Sequence, residues 1–288
     1  MRVLVSGDAG FIGRNFTRRL TADGYDVHGF DIRTGVDARD WFPASSERYD
    51  LLVHAAAVVG GRMSIDGDPL GIAGNMGIDH AALSWAVRTK TPVLYFSSSA
   101  AYPVALQNDG AGPLVESDIN LHHVGRPDQT YGWSKVTGEM LAAAARDAGA
   151  RVSVVRPFSG YGTDQDPDYP FRAFIDRARA RMDPFPVWGD GQQVRDFIHV
   201  DDVYAACMAI VASGTTDPVN LATGRGVPFL ALARMVTEAV GYQPTIECLV
   251  DRPVGVRVRV GDPTRMRRYH QPAVTLEQGI ARALEGAE

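Results

Sequence analysis

Tyr131 and Lys135 stand four residues apart in "YGWSK", a spacing that on a helix puts both side chains on one face, within reach of one point. An ammonium beside a phenol favours the phenolate. Such a pair can take a proton from a carbinol, or return one to a carbonyl, as hydride leaves or arrives at the carbon. On spacing alone the two residues also fit a solvent-facing helix pair. Two other stretches give them weight. "SSSAAYP" at 97–103 supplies hydroxyls that can polarise a substrate oxygen, or simply satisfy backbone groups at a strand end. "VLVSGDAGFIGRNF" at 3–16 holds Gly7, Gly10 and Gly13, positions where side chains would obstruct an approach to the backbone.

The elements around these residues say what approaches. A strand, a glycine-rich turn and a helix starting near Phe11 make a backbone anion site, because the first helical turn offers free N–H groups and a positive dipole end. The expected ligand is the pyrophosphate of a dinucleotide. Asp31 ends the second strand, where a carboxylate accepts both hydroxyls of an adenosine ribose and repels a 2′-phosphate, which favours NAD over NADP. Arg33, two residues on, could instead accommodate that phosphate. Short β-branched runs at 2–7, 26–31, 50–55, 92–98 and 151–157 read as buried parallel strands. Amphipathic stretches at about 11–23, 75–89 and 131–148 read as the helices between them. The alternation predicts an α/β fold, a doubly wound parallel sheet built from right-handed crossovers, over residues 1–156. From 157 to 288 prolines, glycines and aromatics become dense. A smaller C-terminal α/β substrate lobe is expected there, with a helix near 230–240 and some segments returning to the main sheet. "WGDGQQ" at 188–193 reads as a hairpin turn.

Composition narrows the function classes. The chain has 288 residues, 45% of them hydrophobic and 22% charged, which describes a folded soluble protein. Apolar runs such as "LLVHAAAVVGG" are interrupted well before membrane-spanning length, and no charged-then-apolar leader opens the chain; a cytoplasmic protein that does not engage a membrane is expected. A formal net charge of −5 argues against nucleic acid as a partner. The two cysteines, Cys207 and Cys248, lack metal or disulfide spacing, so no metal site is predicted.

The spacing GxxGxxG in "GDAGFIG", "HAAA" at 54–57, "SSSAAYP", "YGWSK" and "VRDFIHVDDV" at 194–203 together resemble the extended short-chain dehydrogenase/reductase family, in particular its nucleotide-sugar epimerases and dehydratases. The likeness runs from Met1 to about Thr264. It implies a Rossmann-like sheet, NAD as cofactor, and Ser98, Tyr131 and Lys135 as the catalytic set, with Ser98 chosen because it stands four residues before Tyr102-Pro103. A loop shifted by one would substitute Ser99. Lys135 acquires a second task, hydrogen bonding the nicotinamide ribose. In the cofactor site the resemblance places Gly7, Gly10, Phe11, Ile12 and Gly13 at the pyrophosphate. Asp31, Ile32, Arg33, Asp37 and Ala38 fall around the adenosine, with Asp37 accepting from the adenine amino group. Ala55, Ala56 and Ala57 line the path to the nicotinamide, beside Tyr131, Lys135 and Pro157. The segment after Asp31 is short enough that the second crossover helix is expected to be lost.

For the substrate, the same resemblance implies a nucleoside diphosphate sugar. Arg195 of "VRDF" and Arg252 of "DRPVG" are expected to clamp the diphosphate, and Phe171 and Trp188 to line the base pocket. Each arginine also fits a plain surface ion pair, with Asp196 or Asp251 beside it. Gly61, Arg62, Ser99 and Ser159 are expected near the sugar. His54 and His199 read as structural histidines. The two positions after Ser98 are Ser99 and Ala100, where dehydratases resembling this family carry Asp-Glu, the decarboxylases a glutamate and the fucose synthases a cysteine. Chemistry that needs only Ser, Tyr, Lys and nicotinamide remains: epimerisation, at C4 in the first instance, or a single reduction of a keto sugar by an NAD(P)H-dependent ketoreductase. A non-catalytic dinucleotide sensor is the third alternative. The helices at 75–89 and 131–148 resemble the pair through which this family forms homodimers as a four-helix bundle.

Overall fold

A computed structural model of the chain describes residues 1–286. The first half runs β1 (Arg2–Ser6), α1 (Phe11–Ala22), β2 (Asp26–Phe30), α2 (Ala38–Ala44), β3 (Leu51–His54), α3 (Arg62–Gly67), α4 (Pro69–Ala73), α5 (Asn75–Thr89), β4 (Val93–Phe96), α6 (Gln129–Asp147) and β5 (Val152–Pro157). The second half continues with β6 (Ser159–Tyr161), α7 (Pro170–Arg179), β7 (Phe185–Trp188), β8 (Val194–His199), α8 (Val200–Ser213), β9 (Val219–Leu221) and β10 (Gly226–Pro228). It ends with α9 (Phe229–Val240), β11 (Ile246–Leu249), β12 (Val258–Arg259) and α10 (Leu276–Glu285).

The main sheet has six parallel strands in the order β2-β1-β3-β4-β5-β9. Every residue of β3 and β4 is buried, as strands covered on both faces require. Phe16 and Leu20 of α1 and Val203, Ala206 and Ile210 of α8 cover one face. Phe42 of α2, Ala82 and Trp85 of α5 and Ala142 of α6 cover the other. Because β2 and β3 lie on opposite sides of β1, the chain turns outward in two directions at the carboxyl ends of these strands, and a crevice opens there.

Two expectations change, and the segment expected to return to the main sheet is identified. The second crossover keeps a helix, the seven-residue α2, because the Asp37 side chain caps it by accepting from Arg39 N and Phe42 anchors it with a fully buried ring. The last strand of the main sheet, β9, comes from the C-terminal half, with Val219 opposite Val155. "WGDGQQ" is not a hairpin: β7 pairs with β11, whereas β8 pairs with β6, β10 and β12, so the turn carries the chain from one small sheet to another. The C-terminal region has its own core of Phe174, Phe185, Leu232 and Ile280. Among the described residues no helix is long and apolar enough to cross a membrane.

Candidate active site

The glycine turn is built by exclusion. Gly7 has φ +77, and a Cβ on it would lie 2.6 Å from the Ala56 backbone nitrogen. A Cβ on Gly13 would overlap the Gly7 carbonyl oxygen. The turn after β1, the start of α1 and the segment after β3 therefore touch backbone to backbone, a fit that only glycine permits. Gly10 is the N-cap of α1 and supplies no side-chain cap, so first-turn N–H groups face the crevice. An anion seated there meets donors and the positive end of α1 together.

A cleft of about 590 Å³ runs from this turn across the carboxyl ends of the strands. All of the residues expected to hold the cofactor line it: Gly7, Gly10, Phe11, Ile12 and Gly13 at the turn, Asp31, Ile32, Arg33, Asp37 and Ala38 beyond β2, Ala55 to Ala57 after β3, and Tyr131, Lys135 and Pro157 at the far end. Asp31 is buried, and one carboxylate oxygen accepts from Arg33 N at 2.7 Å. The Arg33 guanidinium donates to the Ala9 carbonyl at 2.9 Å and faces Asp166 at 4.0 Å. Asp37 is engaged by Arg39, which holds its carboxyl below the usual range.

At the far end, α6 and the carboxyl end of β4 converge. The Ala100 carbonyl accepts from Asp128 N at 3.0 Å, and a Cβ on Gly132 would overlap that same oxygen. The serine loop is thus docked on the first turn of α6, beside Tyr131. Ser98 lines the cleft, its Oγ accepting from Ala100 N at 3.1 Å and its proton left to donate. Lys135 is 4% exposed, with Nζ donating to the Phe96 carbonyl at 2.9 Å and lying 5.9 Å from the centre of the Tyr131 ring. Below it, Asp79 bonds His54 at 3.1 Å and Tyr95 at 2.7 Å, and Ser6 completes the chain at His54. Burial alone would raise the Asp79 pKa, but Lys135, His54 and Tyr95 hold it below the ordinary value. A buried ammonium therefore has a buried countercharge nearby.

Around Asp128, at the start of α6, the cleft is cationic. Arg62 and Arg259 both reach Asp128, at 2.9 and 2.8 Å, and Arg195 lies beside them, donating to the Val194 and Val254 carbonyls. Burial first, and then the Arg259 charge, pushes the Arg195 guanidinium below its ordinary pKa. Three guanidiniums against two carboxylates, Asp128 and the Asp66 that pairs with Arg62 at 2.8 Å, leave a net positive locus suited to a phosphate. Ser159 and an edge of Phe171 also line the cleft, although Phe171 is 1% exposed and packs at 4.2 Å on Tyr161 in the C-terminal core.

The profile of the NAD dependent epimerase/dehydratase family matches residues 3–222. The chain belongs to that family. A dTDP-4-dehydro-6-deoxy-D-allose reductase from Streptomyces bikiniensis is 30% identical over 296 residues, 92% of this chain and 89% of its own. The UDP-glucose 4-epimerase of Thermotoga maritima, solved with UDP-glucose, superposes with a TM-score of 0.87 at 25% identity over 99% of this chain and 98% of its own. A dTDP-glucose 4,6-dehydratase of Streptomyces venezuelae, solved with NAD, does so with 0.87 at 25% identity over 99% and 96%. NAD is the cofactor of the family, and the glycine turn, the uncapped start of α1 and the buried Asp31 fit it.

Four expected substrate residues are not brought to the cleft of this family member. Arg252 is exposed, with its guanidinium 5.8 Å over the Trp188 ring, and the two occupy each other outside the lining. Ser99 is buried beneath the loop it starts. Gly61 packs on the Asp168 backbone, leaving its neighbour Arg62 to face the cavity. In place of Arg252 the structure supplies Arg259, which strand register sets opposite Arg195 in the β8–β12 pair. Alternation in "VRVRV" was the available signal, for it marks a strand with arginines on one face. Asp128 was also missed. His199 and His54 are structural, His199 capping α8 through the Asp201 amide.

Proposed function

We propose that the protein is an NAD-dependent nucleotide-sugar epimerase that inverts one carbinol centre, C4 of the sugar, by oxidation to a ketone and reduction from the other face. Ser98, Tyr131 and Lys135 line the end of the cofactor cleft, and the two positions after Ser98 hold neither carboxylate nor thiol, which supports redox chemistry at one carbinol. The observation that carries epimerisation over reduction is the buried Asp31, which favours NAD, the cofactor an epimerase recycles. Tyr131 takes the carbinol proton, and the Lys135 ammonium stabilises the phenolate. The Ser98 hydroxyl donates to the same substrate oxygen as charge develops on it. The glycine turn, Asp31 and Lys135 would hold NAD, which would supply the acceptor and donor of the hydride. Rotation of the ketone between the two transfers exposes its opposite face to the same groups. Arg62, Arg195 and Arg259 receive the diphosphate, displacing part of the hold of Asp128.

A ketoreductase is the second assignment, and it is favoured by the 30% identity to a dTDP-sugar reductase. The two separate in one experiment. Incubation of the purified protein with a panel of sugar nucleotides, without added reductant, should yield the stereoisomer of one of them. Consumption of reduced nicotinamide by keto sugars, with no isomer formed, would establish the reductase instead. We also propose that two copies pair through α5 and α6, where Trp133, Thr137, Met140, Leu141 and Ala144 recur at helical spacing and leave Trp133 42% and Met140 49% exposed.

A further inference from the structure

Taking the arginine locus as the diphosphate site proposed above, we infer that Asp128 is its internal counter-anion. The carboxylate holds the guanidiniums together before substrate binds and is exchanged for the diphosphate when a sugar nucleotide arrives. The Asp128 side chain lines the cleft and keeps 12% of its surface exposed, so a ligand can reach it. One oxygen accepts from Arg62 at 2.9 Å and the other from Arg259 at 2.8 Å. Arg195 completes the group. A Cβ on Gly255, which has φ +68, would lie 3.2 Å from an Arg62 nitrogen and 3.7 Å from an Arg195 nitrogen, so those two guanidiniums end beside one point of the chain.

Each guanidinium has another partner to keep it in place when Asp128 lets go. Arg62 Nε donates to Asp66 at 2.8 Å, Arg259 Nε to the Gln107 side-chain oxygen at 2.6 Å, and Arg195 to the Val194 and Val254 carbonyls at 2.8 and 3.3 Å. The exchange costs the arginines only bonds that phosphate oxygens can replace. Asp128 has somewhere to turn as well. It occupies the N-cap of α6, where an aspartate ordinarily accepts from first-turn amides, yet its side chain makes no cap bond. Burial alone would raise its pKa, but the Arg259 and Arg62 charges hold it below the ordinary value, so it competes with the ligand as a full anion. A like charge at the ligand's seat lowers the affinity for phosphates and leaves an uncharged nucleoside untouched.

The test uses the full chain saturated with NAD⁺. Titration calorimetry compares UDP, GDP, dTDP and their nucleosides on wild type, Asp128→Asn and Asp128→Ser, the serine keeping a capping side chain without the charge. The diphosphate that wild type binds best should bind both variants about tenfold or more tightly, while its nucleoside stays within about twofold. Without a diphosphate both variants should melt lower, because two guanidiniums lose their carboxylate, and the diphosphate should close most of that gap. Diphosphate affinity unchanged or weaker in both variants would show that Asp128 aligns the arginines for the phosphate, and would overturn the proposal. A wild type that binds no diphosphate more tightly than its nucleoside would instead overturn the diphosphate assignment, and the proposal with it.

Discussion

The buried pair of Arg156 and Glu139 ties the sheet to the helix that carries Tyr131 and Lys135, and breaking it should cost both stability and turnover. Arg156 donates to both Glu139 oxygens, at 2.8 and 2.7 Å, to the Tyr102 hydroxyl at 3.1 Å and to the Glu116 carbonyl at 2.8 Å. The side chains are 2% and 3% exposed. Glu139 also accepts from Ser97 Oγ at 2.5 Å, one residue before Ser98. Glu139→Ala strands a guanidinium that water cannot reach, a loss of about 3–5 kcal/mol. For a chain of this size each kcal/mol lowers Tm by roughly 2–4 °C, so a fall of about 12 °C is expected. Replacing both residues by leucine should recover most of that loss, because apolar replacement of a buried pair is near neutral. The orphaned Ser97 hydroxyl would retain a penalty of about 1 kcal/mol, whereas the Tyr102 hydroxyl still donates to Asn220 at 2.6 Å. Chemical denaturation of the wild type, the single variant and the double variant reads these differences directly. With Ser97 released, kcat at 25 °C should drop in Glu139→Ala while NAD affinity holds. A single variant within 1 kcal/mol of the wild type, or a double variant worse than the single, would refute the reasoning.

Four other outcomes are expected. Tyr131→Phe should keep NAD affinity within about threefold and lose turnover by roughly 10²–10⁴, the size of a general acid–base contribution, measured by steady-state kinetics beside calorimetry. Gly13→Ala forces a methyl into the Gly7 carbonyl and should weaken NAD binding at least about tenfold, or roughly 1.4 kcal/mol, by the same titration. His199 caps α8 as an acceptor, and burial lowers its pKa, so its contribution to stability is present above about pH 6.5 and is lost as pH falls through the folded-state value. His199→Asn caps without titrating; its denaturation midpoint should fall less between pH 7 and pH 5 than that of the wild type. Trp133→Glu should convert the proposed dimer to monomers in sedimentation experiments without changing the monomer's far-ultraviolet circular dichroism; an unaltered association state would remove α6 from the interface.

The Asp31 carboxylate is legible from its place at the end of β2, whereas the packing of Asp8 on Gly29 is not, because an acid in a glycine turn reads as a surface residue until the strand beneath it is seen. The positive locus shows the same limit. Arg195 and Arg252 were both credible from their motifs; only one faces the cleft, since β12 brings Arg259 into register with Arg195 and the preceding loop carries Arg252 out to Trp188. The α2 helix escaped because seven residues are too few for periodicity to show, although Asp37 was a recognisable cap.

By itself the amino-acid sequence determined the alternation of strands and helices, the glycine turn, the acid at the end of β2 and the Tyr-Lys pair. These are short-range features: side-chain periods of two and 3.6, a backbone conformation open to glycine, and a four-residue spacing are all written within a few neighbouring residues. Tertiary structure alone decided which arginines gather around Asp128, that β9 closes the main sheet, and that Asp79 supplies a countercharge for Lys135. Each of those depends on strand register and helix packing between segments far apart in the chain. A one-residue slip there would turn the same side chain to the opposite face.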